Sequence, residues 1–157
     1  MLRLVSVSIA ALVMAGAALA EDSMKVEMSD VPQKVLDAAM KEVSGFKATS
    51  ANTEMEGSKK VYELQGMADG KKVEVDVIED GKLDEVETEI EMGALPEAVT
   101  KAVMGKMPNF KPGKIEQSRR PAGTYYEIEG TDGSNKMDIE IKADGTEMKA
   151  EKLTSAS

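Results

Sequence analysis

"VPQKVLDAAMKEVSGF" at residues 31–46 and "LPEAVTKAVMGKMPNF" at residues 95–110 carry Pro, Val, Ala, Met and Phe at matching places, sixty-four positions apart. The offset holds beyond this stretch: Tyr62-Glu63-Leu64-Gln65-Gly66 falls on Tyr126-Glu127-Ile128-Glu129-Gly130, and Asp80-Gly81 falls on Asp144-Gly145. Agreement in helix, strand and turn positions at one constant spacing marks a duplicated unit, and a duplicated unit dictates the architecture.

Each copy opens with a helix. Val31, Val35, Ala39, Met40 and Val43 recur at the three-and-four spacing of one apolar stripe, as do Leu95, Val99, Val103, Met104 and Met107. Pro32 and Pro96 fall in the first turn, where a missing N–H costs nothing, and Ser44-Gly45 and Pro108-Asn109 stop the helices. The period then changes to two. "KVEVDV" sets Val73, Val75 and Val77 against Glu74 and Asp76, and "KMDIEI" sets Met137, Ile139 and Ile141 against Asp138 and Glu140. Tyr62 and Leu64, or Tyr126 and Ile128, face inward in the preceding strand, and Asp-Gly pairs at 69–70, 80–81, 132–133 and 144–145 supply hairpin turns. The strand after each helix ("FKATSANTEM", "GKIEQSRR") alternates least clearly.

A half-apolar helix and a half-apolar sheet bury their faces against each other. The expected fold is therefore α+β: two tandem helix-plus-four-stranded antiparallel repeats, joined into one continuous curved sheet with both helices on one face. Two units of about sixty residues are marginal alone and gain by sharing one sheet. The connection "EMGAL" is no flexible linker and favours close juxtaposition. The domain reading is a leader at 1–20, a spacer at 21–30, and repeats at 31–92 and 95–153.

The leader is read from "MLRLVSVSIAALVMAGAALA", one Arg, an apolar run and Ala18-Leu19-Ala20, which together form a secretory signal pattern. Its apolar run is shorter than the ~20 residues that span a bilayer. A periplasmic or secreted mature chain follows as the expectation, with no membrane attachment after cleavage. The formal charge of −9 grows one unit more negative when Arg3 leaves. Such a chain repels nucleic acid and anionic membrane surfaces, so a charged partner is basic or is a cation.

The tandem "(V/L)P-x-x-V" helices, the "Y-E-(L/I)-x-G" strands, the "V-E-V-D-V" strand and the Asp-Gly hairpins, behind a leader, resemble the PepSY-like family of exported bacterial proteins. They are similar also to the β-lactamase-inhibitor-protein-like architecture. The resemblance spans Val31 to Leu153. It implies a modulator or inhibitor of peptidases, or a sensory or binding module of the cell envelope. The chain differs from the disulfide-containing inhibitor proteins in having no cysteine.

Reaction chemistry is sparse. With no His and no Cys, the common zinc sites, Cys-His nucleophiles and Ser-His-Asp triads are impossible, and no glycine-rich phosphate loop is present. No cofactor is called for, and the chain reads as a non-enzyme. Met24 with Met28 and Met104 with Met107 have the spacing of soft Cu(I) sites, but a chain with three Tyr, two Phe and no Trp needs methionine in its core, and Met40, Met104, Met107 and Met137 take core positions in the pattern.

The carboxylates carry the functional expectation. Glu63, Glu74, Asp76, Glu85, Glu87 and Glu89 in the first copy, and Glu127, Glu129, Asp138, Glu140 and Glu151 in the second, fall on the face the helices leave open. Like charges then oppose one another across strands; lysine intersperses them in the second copy, at Lys142 and Lys149, and hardly at all in the first. Either the face is merely solvated and blunts edge pairing, or it docks a basic protein surface. On the second reading the partner-binding residues are Glu63, Glu74, Asp76, Tyr125, Glu127, Glu129, Asp138 and Glu140, with Tyr125 the one aromatic. A peptidase is the partner class the resemblance implies. A stress-related envelope protein with weak divalent-cation binding is the alternative, although "DGKLDEVETEIE" reads as a strand and not as an EF-hand loop, and no metal ligands are assigned.

Overall fold

Residues 23–153 are described by the structure, a computed structural model; the expected leader lies outside the described residues. Strands β1 (Met24–Val26), β2 (Lys47–Glu56), β3 (Lys59–Ala68), β4 (Lys71–Ile78), β5 (Leu83–Glu89), β6 (Phe110–Arg120), β7 (Gly123–Asp132), β8 (Asn135–Lys142) and β9 (Lys149–Lys152) form one antiparallel sheet in simple sequence order. Helix α1 (Gln33–Glu42) connects β1 to β2, and α2 (Glu97–Lys106) connects β5 to β6.

The sixty-four-residue spacing governs the backbone closely. Helix α1 shifts onto α2, β3 onto β7 and β4 onto β8 with identical bounds. The stretch at 21–30, expected to be a spacer, contributes β1, so the sheet has nine strands where eight were expected. This strand follows from the same repeat. Met24 pairs with Thr53 as Thr88 pairs with Gln117, so β1 does for the first copy what the end of β5 does for the second.

Two core clusters lie under the two helices. Val35 and Ala39 of α1 pack with Phe46, Tyr62, Leu64, Val73, Val75 and Val77, while Val99 and Val103 of α2 pack with Phe110, Tyr126, Ile128, Ile139 and Ile141. Met40 and Met104 are a correction: they are 50% and 36% exposed. Each lies five residues beyond the central valine of its helix, about 140° round at ~100° per residue, off the narrow stripe that a ten-residue helix presents to a sheet. β-Branched and aromatic side chains fill the core, and methionine lies at its margins.

The final glycine of each "Y-E-(L/I)-x-G" strand has a packing reason. A Cβ on Gly66 would lie 2.1 Å from the carbonyl oxygen of Lys47, and one on Gly130 would lie 2.5 Å from the Phe110 ring. At both places the preceding strand bulges, between Ala48 and Ser50 and between Pro112 and Ile115, and its backbone closes onto the glycine. The bulges also explain why β2 and β6 show weak alternation in sequence.

Candidate functional site

On the helix-free face, residues that oppose one another are repeatedly alike in charge. Glu63 pairs with Asp76, Asp76 with Glu85, Glu74 with Glu87, Glu116 with Glu127, Glu127 with Glu140, and Glu129 with Asp138. The expected carboxylates do line up on this face, but three of them are not open to solvent. Glu63 and Asp76 are each 6% exposed and Glu85 is 4% exposed. No helix covers this side; side chains of neighbouring strands of the curved sheet bury one another in a shared trough.

Burial and mutual repulsion act together on the protons. The carboxyl of Glu87 is pushed up to about 9 by burial and then by Glu127, Glu85, Glu74 and Glu116. Glu127 is raised to about 7 by burial and by Glu85, against the pull of Arg120. Asp76 is raised well above the usual range by burial and then by Glu74, Glu87, Glu85 and Glu63. Glu54 at the first-copy end reaches about 7, from burial and repulsion by Glu63 and Glu56. Glu74 and Asp138 move upward for the same first reason, burial.

One guanidinium organises the second-copy half of the trough. Arg120 donates from Nε to Glu85 at 2.8 Å, from Nη2 to Glu127 at 2.8 Å and from Nη1 to Glu140 at 2.7 Å, bridging strands β5, β7 and β8. Its charged end lies 5.1 Å from the centre of the Tyr125 ring. Lys149 adds a second contact to Glu140 at 3.2 Å. Burial raises the Glu140 carboxyl, but the hydrogen bond and charge of Arg120 outweigh it and leave the group below its ordinary value.

The structure therefore divides the sequence-predicted residues. Glu127, Glu140 and Tyr125 gather on Arg120, whereas Glu63 and Asp76 lie side by side in the first-copy half. Glu74 accepts from Gln65 at 2.9 Å, and Glu129 stands across from Asp138 nearer the far edge. Sequence reasoning missed Arg120 and Ser118 altogether, and set Glu85 on the helix-free face without counting it among the partner-binding residues. The signal was present: between residues 21 and 157 the only arginines are Arg119 and Arg120, and Arg120 falls sixty-four positions after Glu56.

No family model matches the chain, and no curated protein resembles it in sequence. Solved structures do match. A BLIP-like protein from Bacteroides fragilis is 23% identical with a TM-score of 0.64, covering 80% of this chain and 89% of that one. A DUF2874 family protein from Bacteroides uniformis is 17% identical with a TM-score of 0.65, covering 80% and 92%. A candidate periplasmic protein from Bacteroides eggerthii is 16% identical with a TM-score of 0.62, covering 80% and 91%. The chain shares the BLIP-like fold of these proteins over nearly their whole length. Among the described residues no helix is long and apolar enough to cross a membrane.

Proposed function

We propose that this chain is an exported, non-enzymatic, PepSY-like binding protein of the periplasm or extracellular space, whose acidic trough receives basic side chains of a protein partner. The observation that carries this reading is a charge reversal between the two copies. In the second, Ser118, Arg120, Glu127, Glu140 and Lys149 balance one another; sixty-four positions earlier stand Glu54, Glu56, Glu63, Asp76 and Glu85, all carboxylates. The cation that acts on Glu56 is Lys59, its partner across the β2–β3 turn. A guanidinium or ammonium from a partner, placed on the first copy as Arg120 is placed on the second, gains charge-assisted hydrogen bonds in a site partly desolvated in advance.

Glu63, Asp76 and Glu74 are the residues that would meet such a group, with Tyr125, Glu127, Glu129, Asp138 and Glu140 extending the surface across the sheet. The BLIP-like architecture of the structural neighbours supports a protein partner, and the PepSY-like resemblance makes a peptidase the first class to test. Cross-linking of residues 21–157 in an envelope extract tests the reading. The wild-type chain is expected to capture a protein with a basic surface, and Glu54→Gln/Glu63→Gln/Asp76→Asn to lose it while melting cooperatively. Capture by this variant equal to wild type would refute the trough as the docking site.

A further inference from the structure

Where the two copies meet, three carboxylates converge in a different way. Glu85 and Glu87 are two residues apart on β5 and so share its helix-free face, and Glu127 reaches toward them from β7. The strand between them places Ser118 opposite Glu87, fully buried, and a side chain this small leaves room above it for carboxylates from both flanking strands. One oxygen from each of Glu85, Glu87 and Glu127 lies within 4.8 Å of the others. Arg120 and the Ser118 hydroxyl both donate to the same oxygen of Glu85, and Arg120 to one oxygen of Glu127.

A second observation is independent of the clustering. Oδ1 of Asp76 and Oε1 of Glu87 are buried and have no hydrogen-bond partner among the described residues. Asp76 is 6% exposed and faces the cluster from β4, directly across from Glu85. A buried carboxylate oxygen with no donor forfeits its hydration without compensation, a cost native proteins rarely leave standing. No lysine or arginine of the described chain forms an ion pair with Glu87 or Asp76 within 4.0 Å.

We propose that Glu85, Glu87 and Glu127, with Asp76 beside them, form a binding site for a hard divalent cation, Ca²⁺ in the first place. The donors are all carboxylate oxygens, which suit Ca²⁺ or Mg²⁺ and not the nitrogen- and sulfur-seeking metals. Ca²⁺–oxygen distances of about 2.3–2.6 Å put oxygens on opposite sides of the ion no more than about 5.2 Å apart, and the three carboxylates offer oxygens within 4.8 Å of one another, inside that limit. The preference for Ca²⁺ comes from the number of carboxylate donors, since Mg²⁺ keeps several of its waters and is usually held by only one or two carboxylates. A cleft of about 430 Å³, bordered by Glu74, Glu87, Lys114 and Glu116, leads from solvent to Glu87 and can admit a hydrated ion whose remaining waters complete the shell. This site stands at the junction of the copies and does not depend on a protein partner.

The test uses residues 21–157 stripped with chelator and titrated calorimetrically with CaCl₂ alone, beside melting curves with CaCl₂ or chelator. We expect one ion per chain, a raised melting temperature with Ca²⁺, and weaker binding of MgCl₂. Glu87→Gln is expected to weaken Ca²⁺ binding at least about tenfold, the scale of losing one oriented ligand contact. Glu151→Gln, on the same face but outside the cluster, should bind as wild type. Because Glu87→Gln keeps the size and shape of the protonated carboxyl, its cooperative melt checks that the loss is of binding and not of fold. No heat and no stabilisation at about 10 mM Ca²⁺, above the range of weak extracellular sites, would overturn the proposal. So would equal affinity in Glu87→Gln.

Discussion

Raising the pH from 5 to 8 should destabilise this protein. Glu87 has its carboxyl pushed up to about 9, first by burial and then by Glu127 and Glu85 from the flanking positions, Glu74 across β4 and Glu116 on β6. In the unfolded chain the same group titrates near 4.5. The folded state therefore holds a proton that the unfolded state has released, so this contribution is complete below the unfolded value and is lost as pH rises through the folded one. Between those limits one extra bound proton changes the unfolding free energy by about 1.4 kcal/mol per pH unit, so Glu87 alone accounts for about 4 kcal/mol over three units. Glu127, raised to about 7, adds to the loss over the lower part of the range. Glu140 is lowered, so its contribution is lost only on acidification below about 4.5 and does not oppose the trend. Even half of the Glu87 figure, about 2 kcal/mol, lowers the melting temperature by roughly 4–8 °C in a chain of this size. Melts followed by circular dichroism at pH 5, 6, 7 and 8, at constant ionic strength with chelator present, measure the slope. In Glu87→Gln the slope should flatten and the melting temperature at pH 8 should rise. A wild-type melting temperature that is level or rising from pH 5 to 8 would refute the argument that these carboxylates are forced together in the folded state.

Two further outcomes follow from contacts already described. Arg120→Met leaves Glu85, Glu127 and Glu140 buried against one another with their shared counter-charge gone, and urea unfolding should register a loss of about 3 kcal/mol; Arg120→Lys, a point charge that cannot serve three strands at once, should recover only part of it. Gly66→Ala and Gly130→Ala place a methyl against the Lys47 carbonyl or the Phe110 ring and should each cost about 2–3 kcal/mol by the same assay, whereas Gly93→Ala, which meets open space, should be nearly neutral.

The duplicated pattern made the backbone legible. A repeat spacing transfers every element from one copy to the other, and two periods, 3.6 and 2, separated helix from strand without tertiary information. β1 escaped because three residues are too few to show alternation, although the spacing maps Met24 onto Thr88. The burial of Met40 was misread because the helical stripe on a sheet is narrower than the pattern of apolar residues. Alternation assigned Glu63, Glu74, Asp76, Glu127 and Glu140 to the helix-free face, but their burial was hidden. Curvature comes from twist and from the bulges at Ala48/Ser50 and Pro112/Ile115, whose closure onto Gly66 and Gly130 is visible only once the strands are paired. Arg120 was hidden for another reason: its partners stand 35, 7 and 20 residues away, and only the sheet's register brings them to one guanidinium.

Local rules are obeyed almost everywhere in this chain and broken in one place. Helix starts, turn glycines and core valines all agree with the fold they specify. On the helix-free face, however, like charges stand opposite one another and are buried, against both cross-strand pairing and solvation. A requirement of solubility alone would leave these groups in water, and a requirement of stability alone would place Ser118, Arg120 and Lys149 equivalents in the first copy too. The two halves share one backbone plan, yet one carries internal neutralisation while the other is lined with carboxylates. Sites where a sequence violates its own design are where function is to be sought. The neutralised half also supplies the template: what Arg120 does within the chain defines the charge, reach and hydrogen-bonding geometry that a partner must bring to Glu54, Glu63 and Asp76.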